Sequence, residues 1–393
     1  MAETTKMEKN GKAERSRRTV KKVSDEAGRE RLGTRKLRVG MLTSGGDCQA
    51  LNATMRGIAK TLYNLCENVE IIGFLDGYRG LMYEQYRLML KSDFSGILTR
   101  GGTLLGTSRQ PFKLMTVPDE NGNNKVELMK ATYRKLQLDC LCVLGGNGSQ
   151  KTANLLRQEG LNIVSLPKTI DNDLYGTDVT FGFQSAIEVA SDAIDRIHTT
   201  AASHGRVFIV EVMGHKVGWL TLYAGMAGGA DIILIPEIPY DINVVIEALK
   251  KREKAGSKFS IIAVAEGARS KELAARSKKE QKGKDNARKY PSVAYEIGAQ
   301  ISELTGREVR VTVPGHTQRG GAPNPYDRVL STRLGARAAR LIAEGRFGRM
   351  VVVRNNEVTS IALEESAGKL KTVDPNASIV EEARLLGLSF GDR

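Results

Sequence analysis

Apolar and polar positions along the chain switch repeatedly between a period of two and a period of about 3.6. Residues 37–42 form a β-like apolar run that ends in Thr43-Ser44-Gly45-Gly46-Asp47, and residues 51–65 then repeat apolar positions at helical spacing. The unit of strand, glycine turn and helix returns further on. Residues 140–144 predict a strand ending in Gly145-Gly146-Asn147-Gly148-Ser149, followed by a helical stretch and a second apolar run that ends in Pro167-Lys168-Thr169-Ile170-Asp171-Asn172-Asp173. Further strands are predicted over 69–75, 206–212, 231–235, 259–265, 308–313 and 350–353, and helices over 183–204, 217–227, 242–253, 293–304 and 328–343. Residues 76–80 read as a tight loop, 118–125 as a polar surface loop, and 269–290 as a basic, glycine-containing insertion.

Such βαβα alternation predicts an α/β fold whose largely parallel sheets carry helices on both faces and bind ligands beyond the carboxyl ends of their strands. The chemically informative turns all follow strand-like runs: Gly45-Gly46-Asp47, Gly146-Asn147-Gly148, Thr169-Ile170-Asp171, Met213-Gly214 and Gly315-His316-Thr317-Gln318-Arg319. Glycines let backbone N–H groups close on phosphate oxygens, and a helix opening near Ser149 adds the positive end of its dipole. Asp171 and Asp173, two carboxylates on one short turn, suit the base and the metal support of a magnesium-dependent phosphoryl transfer. The Gly-rich segment from Arg100 to Arg109 adds two guanidinium groups that can reach anions.

Composition narrows the class. With 393 residues, 41% of them hydrophobic, the chain has ample material for two or three domains with buried cores. Its four cysteines, Cys48, Cys66, Cys140 and Cys142, contain no CxxC pair, so neither a zinc site nor a disulfide framework is expected. No apolar run reaches a membrane span and no signal-peptide core stands at the N-terminus, so a cytoplasmic, non-membrane protein is expected. The net charge of +14 is concentrated: residues 1–38 carry 13 Lys/Arg against 6 Asp/Glu, and residues 271–290 carry 8 against 3. The basic character therefore belongs to appendages, and nucleic-acid binding is not the expected role. Residues 1–36, almost without large apolar side chains, are expected to be a disordered extension.

The order and spacing of Ser44-Gly45-Gly46-Asp47, Gly101-Gly102-Thr103 with Arg109, Gly145 to Ser149, Pro167 to Asp173, Val210-Glu211-Val212-Met213-Gly214 and Gly315 to Gly321 resemble the 6-phosphofructokinase family. The resemblance implies two Rossmann-like domains with the active site between them, here expected at 37–182 with 318–365, and at 183–317 with 366–393. It implies transfer of a phosphoryl group from ATP to the 1-hydroxyl of fructose 6-phosphate with Mg²⁺, in a homo-oligomer, a dimer or tetramer. Carried over, Gly46, Arg109, Gly146, Asn147, Gly148, Ser149 and Lys168 are nucleotide contacts, and Asp171 is the base. Thr169 and Asp173 orient the transferred group, with Asp173 and Asn147 toward the metal. Ile170, Met213, Gly214, His215, Glu237, His316 and Arg319 join Thr169 and Asp171 on the sugar phosphate, and Arg206 and Arg310 reach it across a subunit boundary.

Three positions depart from the common pattern of ATP-using members: Asn147 replaces an aspartate, His215 an arginine, and Lys168 is typical of the pyrophosphate-using and mixed branch. Gly148 points the other way, because pyrophosphate-dependent members usually carry an aspartate there that intrudes on the α-phosphate of ATP. ATP is the expected donor and pyrophosphate the alternative. An impaired nucleotide or sugar-phosphate sensor is the non-enzymatic alternative.

Overall fold

The computed structural model describes residues 36–277, 280, 283 and 289–393. Apart from Lys36, the N-terminal extension lies outside the described residues, as does part of the basic insertion. The strands in chain order are β1 (Leu37–Ser44), β2 (Val69–Phe74), β3 (Tyr86–Met89), β4 (Cys140–Gly145), β5 (Ile163–Pro167), β6 (Val207–Val212), β7 (Ile232–Leu234), β8 (Ser260–Ala265), β9 (Val309–Thr312), β10 (Arg349–Arg354) and β11 (Glu357–Ala362). They form a seven-stranded sheet in the order β11-β10-β5-β4-β1-β2-β3 and a four-stranded sheet in the order β7-β8-β6-β9.

The four-stranded sheet is parallel throughout, and the larger one is parallel except at its two edges. Register places the functional turns side by side. Ser44 lies opposite Gly145 and Gly145 opposite Pro167, so the segments leaving β1, β4 and β5 start level with one another. Val212 lies opposite Ala265, which brings Met213 and Glu266 to the same height at the end of the second sheet.

Helices form where the apolar stripe predicts them. The Leu51–Leu65 helix buries Leu51, Met55, Ile58 and Leu62 at a spacing of three to four residues, and the Phe183–His204 helix buries Phe183, Ile187, Ala190 and Ile194. The Pro325–Ala343 helix starts three residues earlier than its apolar pattern indicates. Asn324 accepts a 2.9 Å hydrogen bond from the Asp327 N–H, and Pro325 fills a first-turn position that needs no donor. Among the described residues no helix is long and apolar enough to cross a membrane.

Several elements differ from the sequence expectation, among them the Leu363–Ser366 and Ser378–Leu385 helices. Tyr78–Met82 forms a short helix inside and beyond the expected tight loop, and Lys125–Lys135 forms a helix capped by Asn124 where none was expected. Edge strands β3 and β11 are antiparallel and exposed enough to lack a continuous apolar run. The start of the basic insertion is also anchored: Ser270 caps a Lys271–Ala274 turn whose Leu273 is buried.

Candidate active site

The carboxyl ends of both sheets open onto one cleft of about 650 Å³, a size suited to a nucleotide and a sugar phosphate. Ser44, Gly45 and Gly46 enter it from β1, Gly146 to Ser149 from β4, and Lys168, Thr169, Asp171 and Asp173 from β5. Met213 and His215 follow β6, Glu266 follows β8, and His316 and Arg319 follow β9. Arg109, Gln110, Pro111 and Phe112 line the same space from the long connection after β3.

Short contacts join the glycine turns at the cleft. The Asn147–Gln158 helix begins after Gly146, which offers no side-chain cap, so its first N–H groups face the cleft end of β4. Ser149 Oγ donates to Ser44 Oγ at 2.9 Å, and Tyr78 donates from below to the Ser149 carbonyl at 2.8 Å. A side chain on Gly148 would meet no heavy atom within 4 Å, so this residue borders open space. Gly46 is different: a Cβ there would lie 2.8 Å from the Arg319 guanidinium, so that arginine packs directly over the turn. Arg319 Nη1 donates to the Asp47 carbonyl at 2.9 Å, which ties the β9 turn to the β1 turn. Thr107 donates to the Gly45 carbonyl at 2.7 Å and holds the loop that carries Arg109.

Lys168 is almost fully buried, and its Nζ donates to the Gly46 carbonyl. Burial lowers its pKa to about 8, because the surroundings disfavour an ammonium taken from water. On the following turn, Thr169 Oγ1 accepts from the Asp171 N–H at 3.0 Å, and Asn172 takes a left-handed conformation with φ 53°. These contacts turn the two carboxylates into the cleft. Asp171 Oδ1 and Asp173 Oδ1 are both buried without a hydrogen-bond partner among the described residues. Burial raises the pKa of Asp171, and burial together with the neighbouring Asp171 charge raises that of Asp173 to about 6. Two unsatisfied buried acceptors fit a substrate hydroxyl and a cation, since each is costly unless something donates to it or coordinates it. Among the described residues no group of three or more His, Cys, Asp or Glu is placed to hold a metal. A divalent cation at these two carboxylates would therefore have to draw further ligands from a bound substrate or water.

Three expectations require correction. Ile170 is fully buried in the apolar core, so its side chain faces away from the cleft. Glu237 does not line the cleft; its Oε1 accepts from the backbone N–H of Gly218 at 3.0 Å and of Val373 at 2.9 Å. Glu266 occupies the cleft instead and accepts from the Gly214 and His215 N–H groups at 3.3 and 2.7 Å, so Gly214 stands behind the lining and not in it. The signal for Glu266 was legible: like the other site residues, it directly follows a predicted strand. Gln110, Pro111 and Phe112 carried no such signal.

Arg206 and Arg310 stand apart from the cleft. Arg206 Nε pairs with Glu308 at 2.6 Å, Arg310 pairs with the same carboxylate, and Arg206 lines a second polar hollow of about 250 Å³ at the amino end of the smaller sheet.

Residues 38–342 match the family model described as phosphofructokinase. A curated relative from Spirochaeta thermophila, named ATP-dependent 6-phosphofructokinase, is 55% identical over 360 residues, covering 90% of this chain and 97% of the relative. Another from Bacteroides thetaiotaomicron, named ATP-dependent 6-phosphofructokinase 3, is 47% identical and covers 90% of this chain and 100% of the relative. Among solved structures, phosphofructokinase from Saccharomyces cerevisiae superposes with a TM-score of 0.72 at 31% identity, over 84% of this chain and 45% of that one. A pyrophosphate-dependent phosphofructokinase from Marinobacter aquaeolei shares the fold with a TM-score of 0.73 at 20% identity, over 90% of this chain and 88% of that one. The glycine turns on β1 and β4, the paired carboxylates on β5 and these matches agree: the chain belongs to the phosphofructokinase family.

Proposed function

We propose that the protein is an ATP-dependent 6-phosphofructokinase that transfers the γ-phosphoryl group of ATP to the 1-hydroxyl of fructose 6-phosphate. The observation that carries this reading is the position of Asp171, whose unpartnered Oδ1 faces a cleft with a phosphate cradle on one side and Met213, His215, Glu266 and His316 on the other. Asp171 takes the 1-hydroxyl proton as the oxygen attacks the γ-phosphorus. The cradle from Gly146 to Ser149, with Arg109 and Lys168, holds the donor phosphates in line, and Arg319 balances charge developing between donor and acceptor. Asp173 and the Asn147 amide oxygen would hold Mg²⁺, which would supply charge neutralisation for the phosphates when bound. Thr169 orients the Asp171 backbone, and Glu266 fixes the β6 turn that presents Met213 and His215 to the sugar.

Arg206 and Arg310 cannot serve their own cleft from the other end of the smaller sheet. Their role as 6-phosphate ligands therefore requires a neighbouring subunit, and a homo-oligomer that completes each site from two chains is part of this proposal.

Purified protein, fructose 6-phosphate and Mg²⁺ in an assay coupled to fructose 1,6-bisphosphate test the reading, with ATP or pyrophosphate as donor. Turnover with ATP is expected, and a faster reaction with pyrophosphate would reverse the assignment of the donor. The pKa of Lys168 adds a pH test. Below about pH 8 the free enzyme carries this cation and above it loses it, so kcat/KM for ATP should fall as pH rises through about 8. Lys168→Met should lower kcat/KM by about 10–100-fold at neutral pH, the usual scale for one charge-assisted contact, and should erase that alkaline limb.

A further inference from the structure

After the short Leu363–Ser366 helix the chain leaves the larger sheet and runs to the Ser378–Leu385 helix, beyond which Ser389 bridges to Ile232 of the smaller sheet. On the way, residues 369–373 form a strap behind the catalytic turn. The Lys369 carbonyl accepts from Asn147 Nδ2 at 2.7 Å, Leu370 bridges to Leu174, and the Lys371 N–H donates to the Asp173 carbonyl at 2.8 Å. The strap thus touches both residues toward which the metal is proposed to sit.

Lys371 makes the strap specific. Its Nζ donates to Asn172 Oδ1 at 2.9 Å, to the Thr177 carbonyl at 3.0 Å and to the Asp178 carbonyl at 2.9 Å. Three acceptors match the three N–H bonds of an ammonium: Asn172 lies within the Asp171–Asp173 turn, and Thr177 and Asp178 lie in the loop that leaves it. Asn172 Oδ1 also accepts from the Thr180 N–H at 3.1 Å, so the side chain of the left-handed residue between the two carboxylates is held on two sides. From its other face, Lys371 meets Trp219, which stands outside the cleft lining and six residues after Met213, which is part of it. Its carbonyl accepts from Trp219 Nε1 at 3.0 Å, and its ammonium lies 5.5 Å from the centre of the indole ring. Trp219 opens the helix that follows the Met213 to Gly218 turn, and it is the sole tryptophan of the chain.

We propose that Lys371 is a positioning residue of the phosphoryl-transfer site, fixing the Asp171–Asp173 turn through Asn172, and that through Trp219 the strap registers occupancy of the cleft. The inference rests on the kinase reading above. Lys371 touches no substrate; it acts through the turn. Its loss should therefore lower the rate of the chemical step and leave substrate affinity nearly intact, since small displacements of a reacting group cost far more than they weaken binding.

The test uses the full-length protein and Lys371→Met in the coupled assay, together with tryptophan emission in the presence of fructose 6-phosphate and a non-hydrolysable ATP analogue. K371M is expected to lose about 10–100-fold in kcat, the scale of an outer-shell contact, while both KM values stay within about threefold. Wild-type emission is expected to change when both ligands bind. An active wild type with a K371M variant retaining more than half its kcat, or with KM raised in place of kcat, overturns the positioning role while leaving the kinase reading intact. A wild type without turnover overturns that reading, and this inference with it. Should K371M fail to fold, wild-type emission decides, and an emission unchanged at saturation with both ligands overturns the proposal.

Discussion

Replacing Asp171 by asparagine is expected to reduce kcat by about 10²–10⁴-fold, the range that a positioned general base contributes, with little change in the binding of either substrate. The substitution preserves the shape of the side chain and removes only its capacity to take the 1-hydroxyl proton. The pH profile supplies a second signature. Because burial raises the Asp171 pKa above the ordinary carboxylate range, the base is protonated and inactive at acid pH and becomes active as pH rises. The wild-type rate should therefore fall as pH drops, and the residual rate of D171N should lack the Asp171 limb. Steady-state kinetics over a pH series on both proteins check this; a variant that keeps more than half of the wild-type kcat assigns the proton transfer to another group.

The donor preference yields the other large effect. A Cβ at Gly148 meets nothing within 4 Å, so Gly148→Asp should fold as the wild type does while directing its carboxylate into the open space of the phosphate cradle. An α-phosphate and a carboxylate in one place repel and overlap, and like charges brought together cost several kcal/mol. The expected loss in kcat/KM for ATP is then about 100-fold or more. Pyrophosphate lacks the α-phosphate and its nucleoside, and Lys168 remains to hold a terminal phosphate, so pyrophosphate use should suffer less or rise. Kinetics with both donors on both proteins decide the point. Unchanged ATP kinetics in G148D would mean that the nucleotide lies elsewhere.

Asn147 gains a structural explanation beside these two. Its amide donates to the Lys369 carbonyl, a bond that an ionised carboxylate at the same position could not make. An amide here thus offers a neutral oxygen to the proposed cation and a tie to the strap. His215 likewise stands in a left-handed turn whose N–H is bonded to Glu266, so the backbone of that turn is set by a carboxylate from the end of β8.

What the sequence determined by itself was whatever local period and local chemistry encode. The stripe of Leu51, Met55, Ile58 and Leu62 makes a helix wherever it packs, the buried run of β4 makes a parallel strand, and the glycines after it lead into a helix N-terminus where Gly148 borders open space. The glycine turns, the carboxylate turn and the parallel α/β arrangement were therefore legible residue by residue. The tertiary structure alone decided which carboxylate enters the cleft. Glu237 and Glu266 both follow strand ends, but register sets Glu266 level with Met213, while the amides of Gly218 and Val373, 155 residues apart in the chain, capture Glu237. Register and long-range packing also turned Ile170 inward, put Arg206 and Arg310 beyond reach of their own cleft, and laid Lys371 behind the catalytic turn. No local period records such contacts, because each one exists only after distant segments have met.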